Sequence, residues 1–184
     1  MDFLDLLQVY QPVCEQEHRA KEQMVLALSL LHEGAFVRHP LMHLTASAFV
    51  VNERRDQTLM VYHHIYRSFT WPGGHADGER DLLVLALRET CEETGLSCDK
   101  LHPLQEGIAS LDTLTVQQHT KHDKVVNAHL HLNAAFLLQA DEHAPVHIKA
   151  DENAAVRWLP IDGIETFSSE PHMWPIYRKL RARL

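Results

Sequence analysis

The fold is decided by two short stretches, GGHADGER at residues 73–80 and RETCEETG at residues 88–95. In the second stretch, Glu89, Glu92 and Glu93 have the i, i+3, i+4 spacing that places side chains on one face of an α-helix. Three carboxylates on one face repel each other. A divalent cation removes that repulsion, because carboxylate oxygens are ligands that Mg2+ prefers. The spacing therefore indicates a metal-binding helix, with an ordinary solvent-exposed acidic face as the alternative.

The residues around these carboxylates predict the local structure. Helical periodicity of the apolar residues favours a helix from about Asp81 to Thr94, and Gly95 is the expected C-terminal stop. The Trp71-Pro72-Gly73-Gly74 segment is predicted to be a rigid loop, in which the glycines let the backbone approach a ligand closely. A helix that follows a glycine-rich segment is more specific than the acidic face alone.

The two stretches together resemble the signature of the Nudix family: Gly, five residues, Glu, seven residues, Arg-Glu, an aliphatic residue, any residue, Glu-Glu, any residue, Gly, and an aliphatic residue. The positions that match in register are Gly74, Arg88, Glu89, Glu92, Glu93, Gly95 and Leu96. Two positions depart from it, because Arg80 stands in the slot of the first Glu and Thr90 stands in an aliphatic slot. In the family that first Glu is a partner for the Arg and organises the loop. The resemblance thus implies that Glu79 or Asp77 takes this role here.

Further phrases extend the resemblance to roughly residues 40–165. HLTASA at 43–48, GGHAD at 73–77 and HLHLN at 129–133 look like recurring phrases of one bacterial Nudix subgroup, and RWLP at 157–160 resembles a strand end seen across the family.

Strands and helices mix along the chain without regular alternation, which is typical of a mixed sheet packed by helices. The resemblance implies the same α+β fold, a Nudix-type α/β/α sandwich with a mixed β-sheet. We expect the Nudix hydrolase domain at residues 41–184 and an N-terminal helical appendage at residues 1–40. Besides the central helix, we predict two helices within residues 2–31, separated at Pro12 and with Gly34 as the stop signal of the second, and a basic helix at 175–184. The predicted strands are a hairpin at 45–51 and 58–63, extended segments at 107–116 and 125–139, and a short strand at 155–159.

The resemblance also implies a reaction, the hydrolysis of a phosphoanhydride bond in a nucleoside diphosphate linked to another moiety. Such chemistry needs charge neutralisation on the phosphate oxygens, for which Mg2+ or Mn2+ is expected. By analogy, Glu89 and Glu93 hold the metal, Glu92 is a further ligand or the base, and the Gly74 carbonyl is an extra ligand. Arg88 can pair with Glu92 at i+4 and orient it.

Residues outside the signature are candidates for the rest of the site. Glu152, just before the strand at 155–159, is a candidate for a catalytic base supplied by a loop, or else an ordinary loop acid. For substrate contacts we expect His75 at the phosphates, Gly73 through its backbone, and Trp71 by stacking on a base, with a core role as the alternative for Trp71.

His129 and His131 share one face of a predicted strand. They could contact the substrate or bind a transition metal. Fifteen histidines in the chain make chance pairs common, and a zinc site needs a third ligand.

The three cysteines, Cys14, Cys91 and Cys98, lack metal-ligand spacing, and a reduced, cytoplasmic protein is expected. Two other functions remain open. One is a non-catalytic Nudix-like nucleotide-binding or sensor domain. The other is a Nudix-fold isomerase of prenyl diphosphates, which needs a nucleophilic Cys; Cys91 on the signature helix is poorly placed for that role.

Composition limits the partners. The formal net charge is −8, with 25 acidic and 17 basic residues, which argues against nucleic-acid backbone binding. A small phosphorylated substrate remains compatible, because a metal supplies local positive charge. The N-terminus has no basic leader, and no apolar run is long enough to predict a membrane span. The N-terminal helices could cap the pocket or form a homodimer interface.

Overall fold

The computed structural model describes residues 1–121 and 123–184. In chain order the helices are α1 Phe3–Val9, α2 Glu15–Leu31, α3 Leu82–Thr94 and α4 Trp174–Arg181, with 3-10 turns at His32–Phe36, Cys98–Lys100 and Ile164–Thr166. The strands are β1 Met42–Val51, β2 Gln57–His63, β3 Ser68–Thr70, β4 Gly73–His75, β5 His102–Pro103, β6 Ser110–Val116, β7 His119–Lys121, β8 Lys124–Val126, β9 His129–Gln139 and β10 Asn153–Pro160.

Within the described residues, eight strands form one mixed sheet with the central order β10-β2-β1-β9-β5. Strands β1 and β9 run parallel, from the pair Met42 and Leu130 to the pair Val51 and Gln139. The other pairings in this sheet are antiparallel, and they attach β3 to β2, β4 to β1, and β6 to β9. Strands β7 and β8 form a separate hairpin.

The two faces of the sheet bury different sets of apolar side chains. Successive strand residues point to opposite faces, so on β1 Leu44 and Val50 pack into the core beneath α1, α2 and α3, whereas Phe49 and Val51 pack against α4. Helices therefore cover both faces, and the predicted α/β/α sandwich with a mixed sheet is confirmed.

Helix α3 forms where the sequence predicts it. The Asp81 side chain caps its N-terminus by accepting from the Leu83 and Val84 N–H groups, and Gly95 ends it at a φ of 70°. That conformation favours glycine. A Cβ at Gly95 would also lie 2.8 Å from the Cβ of His147, so both the turn and the packing exclude a side chain there.

The N-terminal helices pack tightly on the sheet. Phe3 and Met24 are fully buried and belong to the same apolar cluster as Leu44 and Leu85. The domain boundary at residues 40/41 stays a prediction, but residues on both sides of it share one core.

Two predictions about glycines are wrong. Helix α2 ends at Leu31, as predicted, but Gly34 is not its stop, because Gly34 lies within the 3-10 turn at His32–Phe36 that follows. Gly73 and Gly74 lie in strand β4 rather than in a loop, because they pair with Ser47 and Ala46 of β1. By contrast, the predicted basic helix at 175–184 forms as α4 at Trp174–Arg181, and the segment between Pro160 and α4 contains a 3-10 turn at Ile164–Thr166.

The expectation of three reduced cysteines is also wrong. Cys91 on α3 and Cys98 in the following 3-10 turn form a disulfide, because the turn at Gly95 brings their Cα atoms to 5.7 Å. Cys14 is free and exposed.

Among the described residues, no helix combines the length and apolarity needed to cross a bilayer.

Candidate active site

Helix α3 turns two of its three signature carboxylates towards the sheet. Glu93 is 5% exposed, and the side chain of Glu89 is 17% exposed. Glu92 lies on the outer flank and keeps 49% of its side-chain surface. The Gly73 backbone N–H donates to Glu93 Oε2 at 3.2 Å. The helix thus faces strand β4 with its inner carboxylates.

Strand β4 needs glycine at Gly73 and Gly74 because neighbouring atoms of α3 and β1 lie too close for a side chain. A Cβ on Gly74 would lie 2.4 Å from Cδ of Glu89, and a Cβ on Gly73 would lie 2.5 Å from the Ala46 carbonyl oxygen. Any larger residue would push the helix or the neighbouring strand away. Gly74 therefore brings its backbone directly against the Glu89 carboxyl group.

The electrostatics of the inner carboxylates favour a cation. Burial raises the pKa of Glu93 to about 8, and the negative charge of Glu152 adds to the rise. Burial and the charge of Glu92 raise the pKa of Glu89. Both shifts mean that the fold disfavours the negative charges. Clustered carboxylate oxygens beside a glycine carbonyl are the donor set of a hard divalent ion such as Mg2+, so these residues fit the metal that the family generally uses.

Arg88 lies among the acids of the signature. Its guanidinium is 3.7 Å from Glu89, 3.9 Å from Glu92 and 4.0 Å from Glu79. Glu79 also accepts hydrogen bonds from the backbone N–H groups of Arg80 and Asp81. Of the two candidates for the missing first Glu, Glu79 therefore contacts both Arg88 and the loop, whereas Asp77 pairs with Arg38 at 2.7 and 2.8 Å.

Arg80 has a different set of contacts from those of a signature Glu. Its guanidinium pairs with Asp2 at 2.7 Å and with Glu33 at 2.7 Å, and it lies over the Phe36 ring at 4.7 Å. The Arg80 carbonyl accepts from the Phe3 N–H. Arg80 therefore ties the signature loop to the N-terminal segment.

We expect Arg80→Glu to lower the free energy of unfolding, because it places a third carboxylate beside Asp2 and Glu33. Urea unfolding measures this loss. Arg19→Glu is the control, since Arg19 also faces two carboxylates, Glu15 and Glu22, but from an exposed helix surface. A more stable Arg80→Glu variant would contradict the role assigned to Arg80.

Glu152 reaches the site through a loop anchored on the end of α3. The Thr94 carbonyl accepts from the His147 N–H at 2.7 Å, and the Glu93 carbonyl accepts from Asn153 Nδ2 at 2.8 Å. This loop brings the charge of Glu152 close enough to raise the pKa of Glu93. The structure thus groups Glu152 with the signature acids.

Lys149 is a site residue that the sequence did not reveal. Its ammonium lies 3.1 Å from Glu152 and 3.5 Å from Glu92. Lys149 lies 57 positions from Glu92 in the chain and bridges this helix acid to the loop acid Glu152. Nothing in the local sequence distinguishes it from other lysines.

A cavity of about 150 Å³ opens beside Glu93 and the glycine strand. Its polar wall includes Thr45, Ser47 and Asn133, whose side-chain oxygens meet at 2.9–3.0 Å. Asn133 Nδ2 is buried and has no hydrogen-bond partner in the described part of the chain, so it can donate to a ligand in the cavity. In the sequence, only the polar residues of the HLTASA and HLHLN phrases could have indicated that these side chains line a cavity.

The residues predicted to contact substrate all line this cavity. They are Trp71, Gly73 and His75. Trp71 is 6% exposed and packs edge-to-face on Tyr177 at 5.6 Å, so it belongs mainly to the core. His131 lines the same cavity, whereas Arg88, Glu89 and Glu92 lie outside its lining.

Known proteins show the same architecture. The NUDIX domain family profile matches residues 41–182. Curated relatives include a "Probable DHNTP pyrophosphohydrolase" of Lactococcus lactis subsp. cremoris, 27% identical over 142 residues that cover 75% of this chain and 80% of the relative. A CMP-5'-(N-acetyl-N-hydroxy-3-aminopropyl)phosphonate hydrolase of Streptomyces rubellomurinus is 42% identical over 67 residues. That match covers 34% of this chain and 31% of the relative.

Solved structures support the fold. An Ap4A hydrolase of C. elegans in a binary complex superposes with a TM-score of 0.58 at 18% identity, covering 76% of this chain and 96% of its own. A NUDIX family hydrolase of Clostridium perfringens gives 0.54 at 14% identity, covering 77% and 97%. With the family match over most of the chain, the chain belongs to the NUDIX domain family and is a Nudix-type hydrolase.

Proposed function

We propose that this protein is a divalent-metal-dependent pyrophosphohydrolase that cleaves the phosphoanhydride bond of a nucleoside diphosphate linked to another moiety. The observation that carries the proposal is the pair of inward-facing carboxylates, Glu89 and Glu93, packed against the Gly73-Gly74 backbone. The fold disfavours their charges, and a bound cation reverses that penalty.

In this proposal Glu89, Glu93, Glu92 and the Gly74 carbonyl hold Mg2+ or Mn2+. The ion supplies charge neutralisation on the phosphate oxygens and acidifies water. Arg88 contacts Glu89 and Glu92, so it holds their carboxylates in position.

Glu152 is the proposed base, taking the proton of the attacking water. Its ion pair with Lys149 at 3.1 Å holds the carboxylate in place beside the signature acids. Glu92 is the alternative base, because Lys149 also contacts it.

The substrate proposal rests on the cavity beside Glu93. Backbone and imidazole groups at Gly73 and His75 can approach phosphate oxygens, and Trp71 lines the same cavity. One relative is named a pyrophosphohydrolase and one similar structure is named an Ap4A hydrolase, and both names describe hydrolysis of phosphorylated small molecules. The proposed partner is therefore a small nucleotide derivative rather than a nucleic-acid backbone or a membrane.

A cytoplasmic location and a homodimer remain predictions. The net charge of −8 is compatible with both. The Cys91–Cys98 disulfide does not support the reduced compartment from which the cytoplasmic location was predicted.

The function is tested by a substrate panel, with nucleotide sugars, dinucleotides, ADP-ribose, coenzyme A and (deoxy)nucleoside triphosphates, each supplied with Mg2+ and with Mn2+. We expect hydrolysis of at least one phosphoanhydride. Binding of a nucleotide without turnover, by metal-replete protein, would instead identify the sensor domain that the Arg80 and Thr90 departures leave open.

A further inference from the structure

Four histidines meet on one face of the sheet, next to the cavity but outside the Nudix signature helix. Strands β1 and β9 place His43 directly beside His131. His75 lies opposite Thr45 on the other side of β1, and Thr45 shares the face of His43. His129 precedes His131 by two residues and shares its face. The sheet register, rather than the sequence spacing, thus assembles this histidine cluster of residues 43, 75, 129 and 131.

The cluster is compact. The ring centroids of His43, His75 and His131 lie 4.9–5.1 Å apart. One ring nitrogen from each of these three residues lies within 4.8 Å of the others. His129 Nε2 lies 3.2 Å from His131 Nε2. Two nitrogens on one tetrahedral zinc are about 3.3 Å apart, as follows from a Zn–N bond of about 2.0–2.1 Å, so small side-chain adjustments complete the geometry.

The hydrogen bonds of two of these rings fix which nitrogen is free to bind a metal. His43 Nδ1 lies 2.9 Å from the His39 carbonyl, and His129 Nδ1 lies 2.8 Å from the Asn127 carbonyl. A carbonyl only accepts, so each Nδ1 carries a proton, and the Nε2 of a neutral ring keeps its lone pair. This arrangement, a ring N–H donated to a backbone carbonyl, is how histidine ligands are usually oriented around metals.

The lone pair of His43 has no other use in the described part of the chain. His43 is 4% exposed, and its Nε2 is buried without a hydrogen-bond partner among residues 1–121 and 123–184. An unsatisfied buried polar atom costs free energy, which a metal bond would offset. Imidazole nitrogens select zinc and related transition metals, whereas Mg2+ selects oxygen.

We propose that His43, His75 and His131 bind one Zn2+ ion, and that His129 supplies the fourth nitrogen. This site is separate from the carboxylate site on α3 in its ligands and in its metal preference. Because His75 and His131 also line the cavity beside Glu93, the ion would lie at the cavity wall, where its positive charge attracts a phosphorylated substrate.

The test is a zinc titration of the full chain in competition with a chromophoric chelator. We expect one tightly bound Zn2+ per chain, affinity at least about a hundredfold lower in His43→Gln and in His131→Gln, and about tenfold lower in His129→Gln. His102→Gln, which alters an exposed histidine on β5, and the double variant Glu89→Gln/Glu93→Gln should keep the wild-type affinity. Bound Co2+ should show the visible absorption of a tetrahedral complex in the wild type and in these two control variants, but not in His43→Gln or His131→Gln.

A second measurement guards against variants that fail to fold. Zinc should raise the thermal unfolding midpoint of the wild type, because a ligand of the folded state stabilises it, and of the glutamate double variant equally. The proposal is overturned if the wild type binds no zinc at one equivalent, if His43→Gln and His131→Gln bind it unchanged, or if the glutamate variant loses it.

Discussion

Glu93→Gln is expected to lower kcat about a thousandfold on the best substrate of the panel, with Mg2+ or Mn2+ present. Glutamine keeps the shape of the side chain but removes the charge that holds the cation. Metal stabilisation of the reacting phosphate is worth several kcal/mol, and about 4 kcal/mol corresponds to about a thousandfold in rate. Steady-state kinetics of the two proteins measure the ratio directly.

The same variant should not be less stable, which separates a catalytic loss from misfolding. The pKa of Glu93 is raised in the fold from its ordinary 4.5 to about 8. A raised acid pKa means that metal-free wild-type protein loses stability as the pH rises from about 4.5 to about 8, where the carboxyl ionises. Glu93→Gln lacks this pH dependence.

Glu53→Gln, in an exposed turn, is the control, and it should match the wild type in both rate and stability. Wild-type turnover by Glu93→Gln would show that Glu93 is not part of the metal site.

Glu17→Gln should lower the free energy of unfolding by about 3 kcal/mol. The Glu17 side chain is fully buried on α2, where it accepts from Arg183 Nη2 at 2.8 and 2.9 Å and pairs with Lys179 at 3.2 Å. Removing one member of a buried ion pair leaves its partners charged and uncompensated, which costs about 3–5 kcal/mol. Lys179 keeps a second partner, Asp112, at 2.8 Å, so we expect a loss of unfolding free energy at the lower end of this range, about 3 kcal/mol. Urea unfolding measures the change.

Glu22→Gln is the matched control for this experiment. Glu22 lies on the same helix and pairs with Arg19 at 3.1 Å, but its side chain is 66% exposed. Its loss should cost less than about 0.5 kcal/mol. Equal effects of the two substitutions would show that the buried pair does not tie α2 to the C-terminal residues.

The sequence predicted the features that depend on residues close together in the chain. The apolar periodicity and the Gly95 stop predicted helix α3, and the helix forms with that stop, while Asp81, predicted to begin the helix, caps it. Helical spacing alone predicted Glu89, Glu92 and Glu93 on one face; Glu89 and Glu93 turn inward together, whereas Glu92 lies on the outer flank. The α/β/α architecture followed from the order of elements together with the family resemblance.

Features that depend on strand register or on distant chain segments were not predictable. His43 and His131 are 88 residues apart and meet only because β1 and β9 pair in one register, and a shift by one residue would place them on opposite faces. Likewise, the sequence shows Arg80 only as a departure from the signature, because its contacts with Asp2 and Glu33 are tertiary. The Gly73-Gly74 pair resembled a loop because pairing with β1, which makes it a strand, is a tertiary contact.

The central claim is that the α3 carboxylates hold a divalent metal that enables phosphoanhydride cleavage. The most direct measurement is 31P NMR of a nucleoside diphosphate derivative from the panel, incubated with chelator-treated protein before and after addition of Mg2+ or Mn2+, with Mn2+ removed by chelator before the spectrum is recorded. We expect an unchanged spectrum before addition, and afterwards replacement of the phosphoanhydride resonances by those of two phosphorylated products. Unchanged phosphoanhydride resonances with metal-replete protein across the whole panel, or equal cleavage without metal, would contradict it.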